Sequence, residues 1–181
     1  MDIAISQQDI AVPLRAWPGD ALERSWHFFL HKHRLIPIAN TGKIPEQLHC
    51  DAVILSGGSF GVWRVLTEVE LIKFALAHEI PLIGVCHGAF VINEYFGGVN
   101  GTVSGHNGPD HDIVMEDKKF TVNSYHNLDI TRLASDFIPV AQGEINIEAF
   151  RHKNKSIWGL VWHPERQIHP VLPTALAKLL T

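Results

Sequence analysis

Cys86 stands between two glycines in the run Gly84-Val85-Cys86-His87-Gly88, and much later in the chain His163 is followed at once by Pro164 and Glu165. Together these residue types support one kind of chemistry. A cysteine sulfur attacks a carbonyl, an imidazole shuttles protons to the leaving amine, and a carboxylate holds the imidazole in the right tautomer. Pro164 turns the chain, so Glu165 can point back to the far nitrogen of His163. The oxyanion formed by the attack needs preorganised N–H donors. The N–H of His87, next after the sulfur, is one, and the Gly57-Gly58 loop can supply the other.

A strand, a tight turn and a helix must hold these groups. The apolar run Ile80–Val85 predicts a strand that delivers Cys86, and Phe90–Phe96 continues a helix behind it. This is the layout of a nucleophile elbow, with cysteine in place of serine. Side chains at Gly84 and Gly88 would collide in so tight a turn. The sulfur would sit at a helix N-terminus, where the dipole and free N–H groups favour thiolate over thiol. Ser156–Val161 predicts a strand that brings His163 to the same sheet edge. Asp51–Leu55 reads as a buried strand ending in the glycine loop Ser56–Gly61, at the end of the sheet where open α/β folds bind ligands. The phosphate-loop patterns GxGxxG and GxxxxGK are absent from it.

Around this centre, Asp2–Ser6 and Leu35–Ala39 read as strands and Gln7–Pro18 as loop. Asp20 is expected to N-cap a helix, with Glu23 completing a capping box and Leu22, Trp26, Phe29 and Leu30 forming its apolar stripe. A helix is expected over Thr67–His78, with Val69, Ile72 and Leu76 inward and Glu68, Glu70 and Lys73 toward solvent. Gly101–Asp112 reads as a loop bordering the site, where His106 and His111 can line the pocket. Short strands then follow at His111–Met115, Lys119–Asn123, Phe137–Gln142 and Ile145–Arg151. Pro173 opens a closing helix. Strand–helix alternation in the first half implies α/β with a mainly parallel sheet.

Hydrophobic residues are 46% and charged residues 19% of the chain, an ordinary globular balance. The formal charge of −4 gives no electrostatic reason to expect nucleic acid or an anionic membrane. Two cysteines do not make a disulfide framework, so a reducing cytoplasm is expected. Neither a signal peptide nor a bilayer-spanning run is legible. His27 and His31, four apart, would share a helix face as metal ligands can, but no carboxylate completes the pair locally. No metal or cofactor is expected, and Cys50 reads as a core residue.

Four blocks carry a resemblance: Ile54-Leu55-Ser56-Gly57-Gly58, Gly84-Val85-Cys86-His87-Gly88, Asn123-Ser124-Tyr125-His126-Asn127 and Gly159-Leu160-Val161-Trp162-His163-Pro164-Glu165. In this order and spacing the chain resembles the class I glutamine amidotransferase superfamily, including its γ-glutamyl hydrolase-like branch. The resemblance implies a three-layer α/β/α, flavodoxin-like fold with a mainly parallel central sheet, a nucleophile elbow and a small antiparallel β extension, in a single domain over 1–181. It implies Cys86, His163 and Glu165 as a catalytic triad, and Gly58 and His87 as the oxyanion-hole residues. Ser124, Tyr125 and His126 match the segment that holds the glutamyl substrate, with Gly57 and Phe90 also at the substrate site. The implied reaction is hydrolysis of a γ-glutamyl amide through a glutamyl-thioester.

The chain departs from the family at Phe90, where many glutamine-using members carry Gln, at Ala89, and at Ser59-Phe60 after the glycine loop. These changes leave nucleophile, base and orienter intact and bear on the substrate. One reading is a stand-alone hydrolase of a small-molecule γ-glutamyl conjugate, and the opening and tail look closer to those members, including ones linked to cell-surface polysaccharide modification. The alternatives are a glutaminase subunit feeding ammonia to a synthetase or acceptor-enzyme partner, and a catalytically silent binding module. Elbow-cysteine proteins of the PfpI type resemble the sheet and elbow but lack the late His-Pro-Glu.

Overall fold

Short apolar runs form the centre of the molecule. The computed structural model describes residues 1–12, 18–102, 108 and 110–180. The first half runs β1 (Asp2–Ser6), β2 (Gln8–Ile10), β3 (Gly19–Ala21), α1 (Arg24–Phe29), β4 (Arg34–Ile38), β5 (Ala52–Leu55), α2 (Val62–Ala77), β6 (Leu82–Val85) and α3 (His87–Tyr95). The second half runs β7 (Val99–Thr102), β8 (His111–Met115), β9 (Lys118–Val122), β10 (Leu128–Arg132), β11 (Phe137–Gln142), β12 (Ile147–His152) and β13 (Ile157–Leu160). A 3₁₀ turn at Pro164–Arg166 and α4 (Thr174–Leu180) follow.

Nine strands form one sheet in the order β4-β1-β5-β6-β13-β12-β11-β8-β9. The first five are parallel, and from β13 onward each neighbour is antiparallel. Every residue of β5 and β6 is buried, as expected for parallel strands covered on both faces. α2 and α3 pack on each other and on these strands, and α1 lies against the 3₁₀ turn. Ile3, Ile54, Leu71, Ile72, Ile92 and Trp162 are fully buried in the core. Each such side chain contributes roughly 1.5–3 kcal/mol of hydrophobic stabilisation.

Strand register places the chemistry. Gly159 pairs with Gly84 and Leu160 with Val85, so β6 and β13 end together. The Cys86 N–H donates to the Leu160 carbonyl at 2.7 Å. Leu55 pairs with Gly84, which brings the Ser56–Gly61 loop to the same edge.

Several local expectations are corrected. Asp20 lies in β3, and its carboxylate accepts hydrogen bonds from the Asn40 backbone and side chain instead of capping a helix. α1 starts at Arg24 behind Glu23, with no side-chain cap. Gln8–Ile10, expected as loop, pairs with Gly19–Ala21. Because α1 ends at Phe29, His27 and His31 do not share a helix face, and His31 bonds the Phe28 carbonyl. α2 begins at Val62, and Glu68 is fully buried rather than solvent-facing, since Arg64, Ser6 and His87 surround its carboxylate. Gly101 and Thr102 belong to β7, which pairs with the unforeseen β10 across a bulge. Positions 103–107 and 109 of the expected loop, His106 included, lie outside the described residues.

Candidate active site

The turn from β6 into α3 holds Cys86 at φ 49° and ψ −107°, in the left-handed half of backbone space that a cysteine rarely adopts. The flanking glycines make this possible. A Cβ on Gly84 would lie 2.5 Å from the backbone of Gly88, and one on Gly88 would lie 2.2 Å from the Leu55 carbonyl oxygen. The turn leaves Cys86 directly ahead of the first residue of α3, with the residue only 7% exposed.

His163 follows the end of β13 and is buried. Its Nδ1–H donates to Glu165 Oε1 at 2.6 Å, a short bond of the kind a carboxylate and an imidazole make when the ring is charged. Burial disfavours the charged ring, but hydrogen bonds to Cys86 and Glu165 outweigh it and raise the pKa from 6.5 to about 9. The ring therefore carries a proton at neutral pH. Pro164 opens the 3₁₀ turn that folds Glu165 back onto His163.

The glycine loop meets this pair from the other side. A Cβ on Gly57 would lie 2.2 Å from His163 Cε1, so only glycine lets the loop touch the ring face to backbone. Gly58 has φ 118° and packs against Gln8. His87 opens α3, and its side chain turns inward to Glu68, Nε2 to Oε2 at 2.9 Å.

The 123–127 segment forms a further wall. The Tyr125 ring stands edge-on to His163, with centroids 5.7 Å apart, and the Arg166 guanidinium lies over Tyr125 at 4.9 Å. Ser124 is buried, and its carbonyl accepts from the Gly108 N–H at 2.9 Å. His126 is buried; its Nδ1–H donates to the Leu128 carbonyl at 2.7 Å, and its ring centroid is 6.3 Å from that of Phe90. Phe90 is itself buried one turn into α3. Cys86, His163, Glu165, Gly57 and Tyr125 thus converge directly, Phe90 and His126 lie together, and His87 reaches the loop through Glu68.

Three residues beside the site were given no part in it from the sequence. Asn123 clamps the backbone of His163 with both ends of its amide: Nδ2 donates to the His163 carbonyl at 2.8 Å, and Oδ1 accepts the His163 N–H at 2.9 Å. Arg64 and Glu68 form a fully buried ion pair beneath the glycine loop. Their four-residue spacing on α2 was the available signal. Among the described residues, no group of three or more His, Cys, Asp or Glu side chains is placed to hold a metal ion, and no helix is long and apolar enough to cross a membrane.

Known proteins resemble this chain in sequence and in fold. Residues 25–180 match the family model for class I glutamine amidotransferases. The chain is 37% identical over 126 residues to a γ-glutamyl-CDP-amidate hydrolase of Campylobacter jejuni, a match covering 64% of this chain and 62% of that protein's length. It is 32% identical over 140 residues to one subunit of the glutamine-hydrolysing GMP synthase of Methanococcoides burtonii, covering 71% and 72% of the two chains. The crystal structure of a glutamine amidotransferase from Thermotoga maritima superposes with a TM-score of 0.71 at 17% identity, over 91% of this chain and 76% of that one, and shares the fold. With the family model covering well over half of the chain and the elbow, sheet and loop arranged as described, the protein belongs to the class I glutamine amidotransferase family.

Proposed function

We propose that the protein hydrolyses a γ-glutamyl amide through a thioester on Cys86, as a single domain acting without a cofactor. The observation that carries this reading is the convergence of Cys86, on its strained turn, with the His163–Glu165 pair bonded at 2.6 Å. The Cys86 sulfur forms a bond to the γ-carbonyl carbon, and the carbonyl electron pair becomes an oxyanion received by the N–H groups of Gly58 and His87. As the oxyanion collapses, the C–N bond breaks, and His163 gives its proton to the leaving amine. Water then attacks the thioester, His163 takes a proton from that water, and the sulfur leaves. Glu165 orients the imidazole throughout. Ser124, Tyr125, His126, Phe90 and Gly57 contact the glutamyl substrate in this reading.

A conjugate with a leaving group larger than ammonia is the substrate class favoured here. The Campylobacter relative is named for such an amidate. At Phe90, an apolar ring packed near His126 stands where, by the family resemblance, many glutamine-using members carry Gln. A second reading, a glutaminase subunit serving a synthetase, draws on the GMP synthase relatives. The reading fits a reducing cytoplasm, since both cysteines are free thiols.

Mass spectrometry of the protein incubated with glutamine and with γ-glutamyl conjugates tests the proposal. A glutamyl adduct on Cys86 that disappears in Cys86→Ala is expected. Full hydrolysis by Cys86→Ala would falsify the mechanism. Ammonia release from glutamine only when a synthetase is added would move the assignment to the second reading.

A further inference from the structure

One carboxylate beneath the site ties together the two residues proposed as oxyanion donors. Arg64 and Glu68 are one turn apart on α2 and neither is exposed. Arg64 Nε donates to Glu68 Oε1 at 3.0 Å. The rest of the guanidinium faces the glycine loop and donates to the carbonyls of Ser56 (2.5 Å), Gly57 (3.2 Å) and Ser59 (2.7 Å). Ser6 braces the same loop: its hydroxyl donates to Glu68 Oε1 at 2.8 Å and accepts the Ser56 N–H at 2.9 Å. The second oxygen of Glu68 accepts from His87 Nε2 at 2.9 Å.

The Gly57 carbonyl belongs to the same peptide unit as the Gly58 N–H. In a trans peptide these two bonds point in opposite directions, and the described residues contain no cis peptide. Holding the Gly57 carbonyl against Arg64 therefore turns the Gly58 N–H away from the buried cation. Flipping this peptide would replace a carbonyl with an N–H facing a buried guanidinium, a donor set against a donor in the interior.

Resting on the γ-glutamyl reading, we propose that Arg64 and Glu68 are positioning residues that fix the Gly57–Gly58 peptide and the start of α3 together, so that the oxyanion pocket is built in the isolated chain and needs no partner to form it. Glu68 reaches one donor through Arg64 and the other through the His87 side chain. In this chain the loop carbonyls on both sides of the Gly57 Cα are held by one buried guanidinium.

The full chain labelled with ¹⁵N-glycine tests the lock directly. The Gly58 amide is expected as one resonance without microsecond-to-millisecond exchange, and in Arg64→Met it broadens or splits. On a γ-glutamyl anilide, Arg64→Met is expected to lose about 10²-fold in kcat, the size of losing one oxyanion donor. KM should change little, and alkylation of Cys86 by iodoacetamide should keep its rate. Arg64→Lys is expected to restore part of kcat. The pair Arg64→Met with Glu68→Leu leaves no unpaired charge and gives the same kinetic reading if the single variant does not fold. Exchange at Gly58 in the unmodified protein, or unchanged kcat in Arg64→Met, overturns the proposal. If the unmodified protein turns over no γ-glutamyl compound, the γ-glutamyl reading fails, and the Gly58 resonance still decides the lock.

Discussion

Gly57 and His163 touch backbone to ring: a methyl group on residue 57 would occupy the space of His163 Cε1. The glycine loop and the side chain proposed to move protons are therefore set against each other. Gly57→Ala must push the imidazole off its line between Cys86 and Glu165. A misplacement of about 1 Å costs on the order of 10²-fold in rate. The expected result is a kcat loss of that size together with a lower melting temperature, since the displaced ring is buried and bonded to Glu165. An active Gly57→Ala would place the working position of His163 elsewhere.

Glu165→Gln keeps the shape of the side chain and removes its charge. The amide can accept from Nδ1–H, but it no longer stabilises an imidazolium. By analogy with other imidazole–carboxylate pairs, kcat is expected to fall by roughly 10²- to 10⁴-fold, with substrate binding retained. Steady-state kinetics from mildly acidic to mildly alkaline pH measures this, and superimposable curves would remove Glu165 from the mechanism.

The stability of the protein should carry the signature of His163. Its pKa rises from 6.5 to about 9 in the folded chain, against the opposing effect of burial, through hydrogen bonds to Cys86 and Glu165. Between these values the folded state holds a proton that the unfolded chain has released. The stabilisation is complete below about pH 6.5 and is lost as pH rises through about 9. Urea midpoints are expected to fall across this window in the parent and to fall less in His163→Gln. Parallel pH profiles for the two proteins would rule the linkage out.

Asn123→Ala removes both hydrogen bonds to the buried backbone of His163. Each orphaned buried group costs about 1–3 kcal/mol. A loss of stability of that order is expected, with kcat falling because the strand end that carries His163 is released. Chemical denaturation and kinetics on the same sample separate the two effects. A variant as stable and active as the parent would show that the clamp is redundant.

The elbow and the His-Pro-Glu turn were legible because each is encoded within a few adjacent residues. Gly84, Cys86 and Gly88 constrain one another sterically, and Pro164 leaves Glu165 little choice but to fold back. β5 and β6 were legible as uninterrupted apolar runs. The interior role of Glu68 was not. Helical periodicity assigns a charge to the solvent face, and the groups that reverse this, Ser6 and His87, arrive from distant elements. Asp20 misled for a related reason: it has the chemistry of a cap, but Asn40, reached only through the tertiary fold, competes for its carboxylate. β7 is a four-residue strand with asparagine and glycine at its centre and little alternation, so its pairing with β10 has no local signature.

β13 lies between β6 and β12, in the middle of the sheet, yet the chain reaches it only after twelve other strands. Until residues 157–160 are in place, the parallel and antiparallel parts of the sheet have no common strand, and Cys86 has no imidazole beside it. Its insertion closes the sheet and completes the site in one event. During synthesis on the ribosome, Cys86 thus stays apart from His163 until the sheet that brings them together can be finished.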